Sequence, residues 1–260
     1  NIDPHTGRTR SQIPIPNPTI NALAQDRVGR IWLGTYEGLL RIDPRSNEPT
    51  AQSFRLPSNH VRSLQLDTRG YLWVGTDRGL AMVSPDQGLL MTTLQALDGV
   101  SANALALDEA GQLWVGTLAG LVQVDTASAR PQRQVRNLPG QSVQVVARGP
   151  HNQLWVGTPD GLLVINPATG QLLRSVTVMR GENVTALSFD TANTLWVGTD
   201  NGLFRLNHYN GAVLGEIPNL PSSRILAIAP DTGNKVWVGT SDGLAWVSLR
   251  DGQARAHRLF

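Results

Sequence analysis

The sequence predicts an all-β protein, a β-propeller of four-stranded antiparallel blades, and three observations carry that prediction. A stretch of the form Leu-Trp-Val-Gly-Thr-x-x-Gly-Leu first reads Ile31-Trp32-Leu33-Gly34-Thr35, with Gly38 and Leu39, and its tryptophan returns at Trp73, Trp114, Trp155, Trp196 and Trp237. The interval is 41 residues each time, and a period near 40 carrying short strand-like segments is that of a propeller blade. No linker or change in composition interrupts the repeat, so residues 1–260 are expected to form one domain.

One period, from Val61 to Ser101, shows the four strands. They are predicted at Val61–Leu66, Tyr71–Gly75, Leu80–Val83 and Leu89–Leu94, each bounded by turn residues. The first corner, Asp67-Thr68-Arg69-Gly70, ends in its other copies at Gly29, Gly111, Asn152, Asn193 and Asn234, the residue types that tolerate positive φ. Asp26, Asp67, Asp108, Asp190 and Asp231 open these corners and can accept hydrogen bonds from the turn backbone, while Gly149 takes that place in the fourth copy. The second turn ends in glycine throughout, at Gly38, Gly79, Gly120, Gly161, Gly202 and Gly243. First strands keep small side chains at alternate positions, such as Ala22, Ser63, Ala104 and Ala186, as crowding about an axis demands.

Trp32, Trp73, Trp114, Trp155, Trp196 and Trp237 are structural in this reading. Each ring wedges between neighbouring sheets with its N–H given to a nearby acceptor. Trp246 stands where other copies carry Arg41, Met82, Gln123, Val164 and Arg205, as local packing or as a contact surface. Arginines on the outermost strands, among them Arg8, Arg10, Arg174 and Arg258, are expected to blunt exposed edges. The ends leave the blade count open. Residues 1–16 match the tail of a third strand and a fourth strand, yet the last copy also runs on to a fourth strand at Phe260. Either six blades close with one surplus strand, which we favour, or a seven-bladed ring has been truncated or rearranged.

Composition narrows the function. Apolar content is 40%, charged content 16%, and no apolar run reaches the ~18 residues of a membrane span. Net charge is +2, too small a field to suggest nucleic acid. Cysteine is absent, which excludes disulfides, zinc thiolates and thiol nucleophiles. The five histidines fall at different places in the period without metal-ligand spacing, and there is no nucleophile elbow, phosphate-cradling loop or nucleotide fingerprint. No enzymatic activity, cofactor or metal is expected.

What varies between copies is the pair of loops that a propeller gathers at one mouth of its channel. The candidate ligand-binding residues there are Tyr36, Glu37, His60, Arg62, Asp77, Arg78, Asn103, Gln144, Asn183, Asp200, Arg224 and Asp242. Polar groups with one tyrosine suit a sugar-like or peptide ligand, and the mouth is asymmetric because the third and fourth copies bring Leu118, Ala119 and Pro159.

The Leu-Trp-Val-Gly-Thr-x-x-Gly-Leu stretch, its preceding Asp-x-x-Gly corner and the following Ile42-Asp43-Pro44 or Ile165-Asn166-Pro167 resemble the two-component regulator propeller family. The resemblance covers essentially the whole chain. It implies an extracytoplasmic propeller, periplasmic or secreted, typically of seven blades, that acts as the sensing part of bacterial hybrid kinases, often for carbohydrates. The function expected is therefore a binding or sensing module, a monomer taking a small-molecule or glycan ligand. Two rivals stand beside it: a protein-interaction scaffold using the rim, and an engineered, amplified or truncated scaffold with no ligand, which the unvarying 41-residue spacing also suits.

Overall fold

The structure is a computed structural model and describes residues 13, 15, 19–43, 45, 46, 48–52, 54–231, 234–249 and 253–257. Its architecture is all-β, with six four-stranded antiparallel blades among the described residues, each supplied by one repeat in chain order. Blade 1 is Ile20–Gln25, Ile31–Thr35, Gly38–Ile42 and Pro49–Gln52; blade 2 is Val61–Leu66, Leu72–Thr76, Gly79–Ser84 and Leu89–Thr93; blade 3 is Ala104–Leu107, Leu113–Thr117, Gly120–Asp125 and Arg130–Val135. These three make one compact unit. The other unit holds blade 4 (Val145–Gly149, Gln153–Thr158, Gly161–Ile165, Leu172–Val176), blade 5 (Val184–Phe189, Thr194–Thr199, Leu203–Asn207, Val213–Glu216) and blade 6 (Ile225–Pro230, Lys235–Thr240, Gly243–Ser248, Ala254–His257). The predicted strands of the second repeat are met within a residue at each end. The C-terminal segment is the fourth strand of its own blade, Trp246 facing Arg255, whereas the surplus fourth strand expected at residues 8–16 lies outside the described residues but for Ile13 and Ile15.

The repeated motif is explained residue by residue. Its second and third strands are buried on both faces in blade 2, so they read as apolar runs without alternation. Trp32, Trp73, Trp114, Trp155 and Trp196 have no exposed surface. Trp32 packs on Val61, Leu72 and Val74 of the next blade, Trp73 on Leu105, Leu113 and Val115, and Trp196 on Ile225, Val236 and Val238. Trp237 is half-buried. The glycine of the motif faces the first strand of the following blade at close range: a Cβ on Gly75 would lie 2.2 Å from Ser63 Oγ and 2.5 Å from the Ala102 carbonyl oxygen. The threonine ties the second turn, since Thr76 Oγ1 donates to the Gly79 carbonyl at 3.0 Å and accepts from the Arg78 amide at 3.2 Å. Thr35, Thr117, Thr158, Thr199 and Thr240 make the same bond forward.

The corner aspartate does more than hold its turn. Asp67 Oδ1 accepts from the amides of Arg69 and Tyr71, both at 2.9 Å, and Oδ2 accepts the Trp73 indole N–H at 3.1 Å. Asp26, Asp108, Asp190 and Asp231 bind Trp32, Trp114, Trp196 and Trp237 in the same way, at 2.9–3.1 Å and a constant separation of six residues. One carboxylate thus satisfies both a turn and a buried indole. Burial alone would raise the Asp26 carboxyl, but the bonds from Trp32 and Arg30 outweigh it and hold the group below the usual carboxylate range. The fourth repeat breaks the pattern: Gly149 offers no carboxylate, and the Trp155 N–H is buried without a partner.

Candidate functional site

At one end of the strands the two variable loops converge within each unit. In the unit of blades 1–3, Tyr36 and Glu37 form the second turn of blade 1, His60 precedes the first strand of blade 2, and Asp77 and Arg78 form the second turn of blade 2. The Tyr36 and His60 rings lie 3.9 Å apart between centroids, His60 Nδ1 is 3.8 Å from Asp77 Oδ2, and the Asp77 amide donates to the His60 carbonyl at 3.1 Å. Tyr36 is 53% exposed and Asp77 Oδ1 is buried without a hydrogen bond. Tyr36, His60 and Asp77 are therefore one contact cluster. Arg62 and Arg78 are exposed beside it, the Glu37 amide donates to Thr35 Oγ1, and Asn103 serves blade 3, its amide bonded to the Gly116 carbonyl and its Oδ1 to Ser101.

The unit of blades 4–6 gathers a denser set from blades 5 and 6. Asn183 Nδ2 donates to Asp200 Oδ2 at 2.6 Å, Arg224 Nε stands 3.3 Å from Asp200 Oδ1, and Ser223 Oγ donates to the Asp200 carbonyl at 3.3 Å. Ser241 lies 2.8 Å from Ser222 and 3.2 Å from Asp242 Oδ1, and Asn201 Nδ2 donates to Glu182 at 3.0 Å. Asn183 Oδ1 and Asp200 Oδ1 are buried without a hydrogen bond. Gln144 stands apart, its amide bonded to the Gly157 carbonyl.

Some mouth positions have structural partners that the sequence did not signal. A β-bulge recurs at the start of the first strand, between Ile20 and Ala22, Val61 and Ser63, Val184 and Ala186, and Ile225 and Ala227. The extra residue leaves the ladder and its side chain is re-aimed. Asn21 Nδ2 reaches the Val61 carbonyl at 2.8 Å and Thr185 Oγ1 the Ile225 carbonyl at 2.6 Å, so these join neighbouring blades. Arg62 occupies the equivalent bulge and is left exposed. The rim holds a cavity of about 330 Å³ floored by Leu97, Val100 and Val122 and walled by Pro131 and Gln132; none of its polar side chains is buried without a partner.

One expectation about the rim, that for Arg174, is corrected, and the local packing of Trp246 is made specific. Arg174, read as an edge guard, turns inward: its guanidinium lies 5.2 Å over the Trp155 ring and donates to the carbonyls of His208, at 2.6 Å, and Tyr209. Trp246 is held between two cations, Lys235 Nζ at 4.4 Å and the Arg255 guanidinium at 4.8 Å, opposite Trp237 in the ladder. Among the described residues no group of three or more His, Asp and Glu side chains is arranged to hold a metal ion, and no helix is long and apolar enough to cross a membrane.

The family described as "Two component regulator propeller" matches residues 14–37, 55–78 and 219–248. No curated protein matches the chain. Among solved structures, the chain is similar to one described as the extracellular domain of a hybrid two component system, BT3049, from B. thetaiotaomicron, at TM-score 0.79 and 21% identity over 93% of this chain and 34% of that one. A second such domain, BT4673 of the same organism, superposes at TM-score 0.78 with 23% identity over 92% of this chain and 36% of that one. The chain thus spans about a third of these domains. Virginiamycin B lyase from Staphylococcus aureus is similar at TM-score 0.77 and 12% identity, over 92% of this chain and 84% of the lyase. At these identities the superpositions speak for the fold, and the family matches for three stretches of the repeat: the chain is a β-propeller, and those three stretches are similar to two-component regulator propeller repeats.

Proposed function

We propose that the chain is a non-enzymatic binding or sensing module for a hydroxyl-rich ligand such as a glycan, taken at the mouth ends of the blades. The observation that carries this reading is chemical. Among the described mouth residues, Asp77 Oδ1 in the unit of blades 1–3 and Asn183 Oδ1 in the unit of blades 4–6 are acceptors buried without a hydrogen bond, Asp200 Oδ1 beside Asn183 has the Arg224 guanidinium as its partner, and a buried acceptor calls for an O–H or N–H donor. Sugar hydroxyls supply donors in number, and within the unit of blades 1–3 the exposed Tyr36 ring, in the cluster with His60 and Asp77, offers an apolar face for a pyranose. A metal cation suits the set less well, because Arg224 stands 3.3 Å from Asp200. Similarity to extracellular sensor domains supports an extracytoplasmic setting. Similarity to a lyase does not extend to a reactive constellation at the mouth, where His60 is the one histidine among the described residues.

The test is isothermal titration with an oligosaccharide panel against the parent chain and Asn183→Ala, Asp200→Ala and Tyr36→Ala. A hydrogen bond to a charged acceptor is worth about 1.5–3 kcal/mol, so Asp200→Ala should weaken a genuine ligand roughly 10-fold or more. Affinity unchanged in all three variants refutes the reading. The apolar rim cavity beside Leu97 and Pro131 favours a second one, a protein partner, whose capture these mouth variants would leave intact.

A further inference from the structure

At the other end of the strands, blade 4 and blade 5 present a second site with the opposite demand. In blades 1 and 2 a cation reaches from one blade to the third hairpin of the next and is neutralised by the corner aspartate. Arg30 bonds Asp26 Oδ2 at 2.6 Å and reaches Asp86 of blade 2 at 2.6 Å. Arg69 lies 3.2 Å from Asp67 Oδ2 and donates to the carbonyls of Thr126 and Ala127 of blade 3. Arg174 repeats this reach, its acceptors being the carbonyls of His208 and Tyr209, two periods beyond Thr126 and Ala127. Yet Gly149 stands where the carboxylate would be.

Blade 4 therefore has a cation, supplied from its fourth strand instead of its first corner, and the buried indole N–H, but not the corner carboxylate that serves both in blades 1 and 2. Among the described residues Arg174 has no ion pair, and Trp155 Nε1, Arg174 Nε and His208 Nε2 are all buried without a hydrogen bond; Asn152 Oδ1 is the one unpartnered acceptor of the neighbourhood. The chain cannot supply the missing carboxylate from residue 149, because a Cβ there would lie 2.5 Å from Trp155 Nε1 and 2.9 Å from Phe189. Beside these groups stand His151, stacked 5.9 Å from His208 and 5.4 Å from Tyr209, and Tyr209 itself, 66% exposed at the surface. Donors without acceptors, an unneutralised guanidinium and two imidazoles define an anion's surroundings.

We propose that the His151–Arg174–His208–Tyr209 cluster binds an oxyanion, a carboxylate or phosphoryl group carried by a ligand distinct from the one taken at the mouth. The experiment follows the seven indole ¹H–¹⁵N resonances of the full chain, with Trp155 assigned through Trp155→Phe, during titration with sodium phosphate, sodium acetate or sodium chloride at constant ionic strength. The Trp155 resonance should move saturably with an oxyanion, with a midpoint of about a millimolar, and not with chloride. A response to phosphate alone names a phosphoryl group, to acetate alone a carboxylate, and to both an oxyanion site without that distinction. Arg174→Gln should abolish the response and His151→Ala, at an exposed position, should weaken it at least several-fold while leaving the other six resonances in place. If Arg174→Gln does not fold, His151→Ala carries the test. Indifference of the Trp155 resonance to both oxyanions, an equal shift with chloride, or full affinity in His151→Ala overturns the proposal.

Discussion

Replacing Trp196 and Trp155 separately by phenylalanine isolates the aspartate–indole bond. Both rings are fully buried, and Trp→Phe removes a similar volume from each, so the packing loss is shared. The hydrogen bonds are not. Trp196→Phe strips the donor from Asp190 Oδ2, a carboxylate 6% exposed, whereas Trp155→Phe deletes an N–H that already lacks an acceptor. A lost bond to a buried charged group costs about 1.5–3 kcal/mol, and deleting an unsatisfied donor costs nothing on that account. Trp196→Phe should therefore be the more destabilising by about 2 kcal/mol. With an unfolding entropy of about 2 cal/mol/K per residue, that separates the two melting temperatures by about 4 °C. Differential scanning calorimetry in a chloride buffer free of phosphate and carboxylates measures it. Equal losses, or a larger loss for Trp155→Phe, would refute the assignment of the carboxylate as the indole's stabilising partner.

Three further outcomes follow from contacts of the same kind. Gly75→Ala drives a methyl into Ser63 Oγ and the Ala102 carbonyl and should cost about 1–3 kcal/mol, whereas Gly239→Ala meets its nearest atom at 3.7 Å and should be neutral or slightly stabilising; urea midpoints of the two variants decide it. The lowered Asp26 pKa means that its contribution is present above the ordinary carboxylate pKa and lost as pH falls through the native one. Asp26→Asn should accordingly be less stable than the parent near pH 7, with the gap closing below about pH 4, and chemical denaturation at the two pH values checks the sign. Thr158→Val removes a hydroxyl that donates to the Gly161 carbonyl at 3.1 Å and accepts from the Asp160 amide, and should cost about 1 kcal/mol while hydrogen exchange at that turn quickens.

The blades were legible because each repeat states the same physics six times. A tryptophan, a glycine forced by the next strand and a threonine that ties the turn recur at fixed offsets, so chance is averaged away and strand ends come out within a residue in the second repeat. The aspartate–indole pairing was also present in the sequence as a constant separation of six, but each residue had a sufficient reason alone, the turn for Asp67 and the wedge for Trp73, and nothing pointed from one to the other. The candidate mouth residues lie in or beside the two variable loops, with Arg62 inside the strand Val61–Leu66, and their groupings were not foreseeable. Whether Asn183 meets Asp200, or Thr185 spends its hydroxyl on the next blade, depends on a bulge that shifts one side chain out of alternation.

The deepest signal was an exception. Gly149 reads in the sequence as one more turn residue in a corner that tolerates variation. Only the bond geometry of the other blades shows what it removes, and only the position of Arg174, three strands away on the outermost strand, shows that a charge stands there without a carboxylate. The two ends of the blades then differ in kind: buried acceptors lack donors at Asp77 and Asn183, and buried donors lack an acceptor at Trp155 and Arg174. A single ligand chemistry cannot satisfy both sets, since an oxyanion beside Asp200 would meet a carboxylate and a sugar hydroxyl beside Arg174 would leave its charge unpaired. Within the unit of blades 4–6, a ligand that shifts the Trp155 indole should therefore leave the Asn183 side-chain amide resonances unmoved, and a glycan at the mouth should do the reverse.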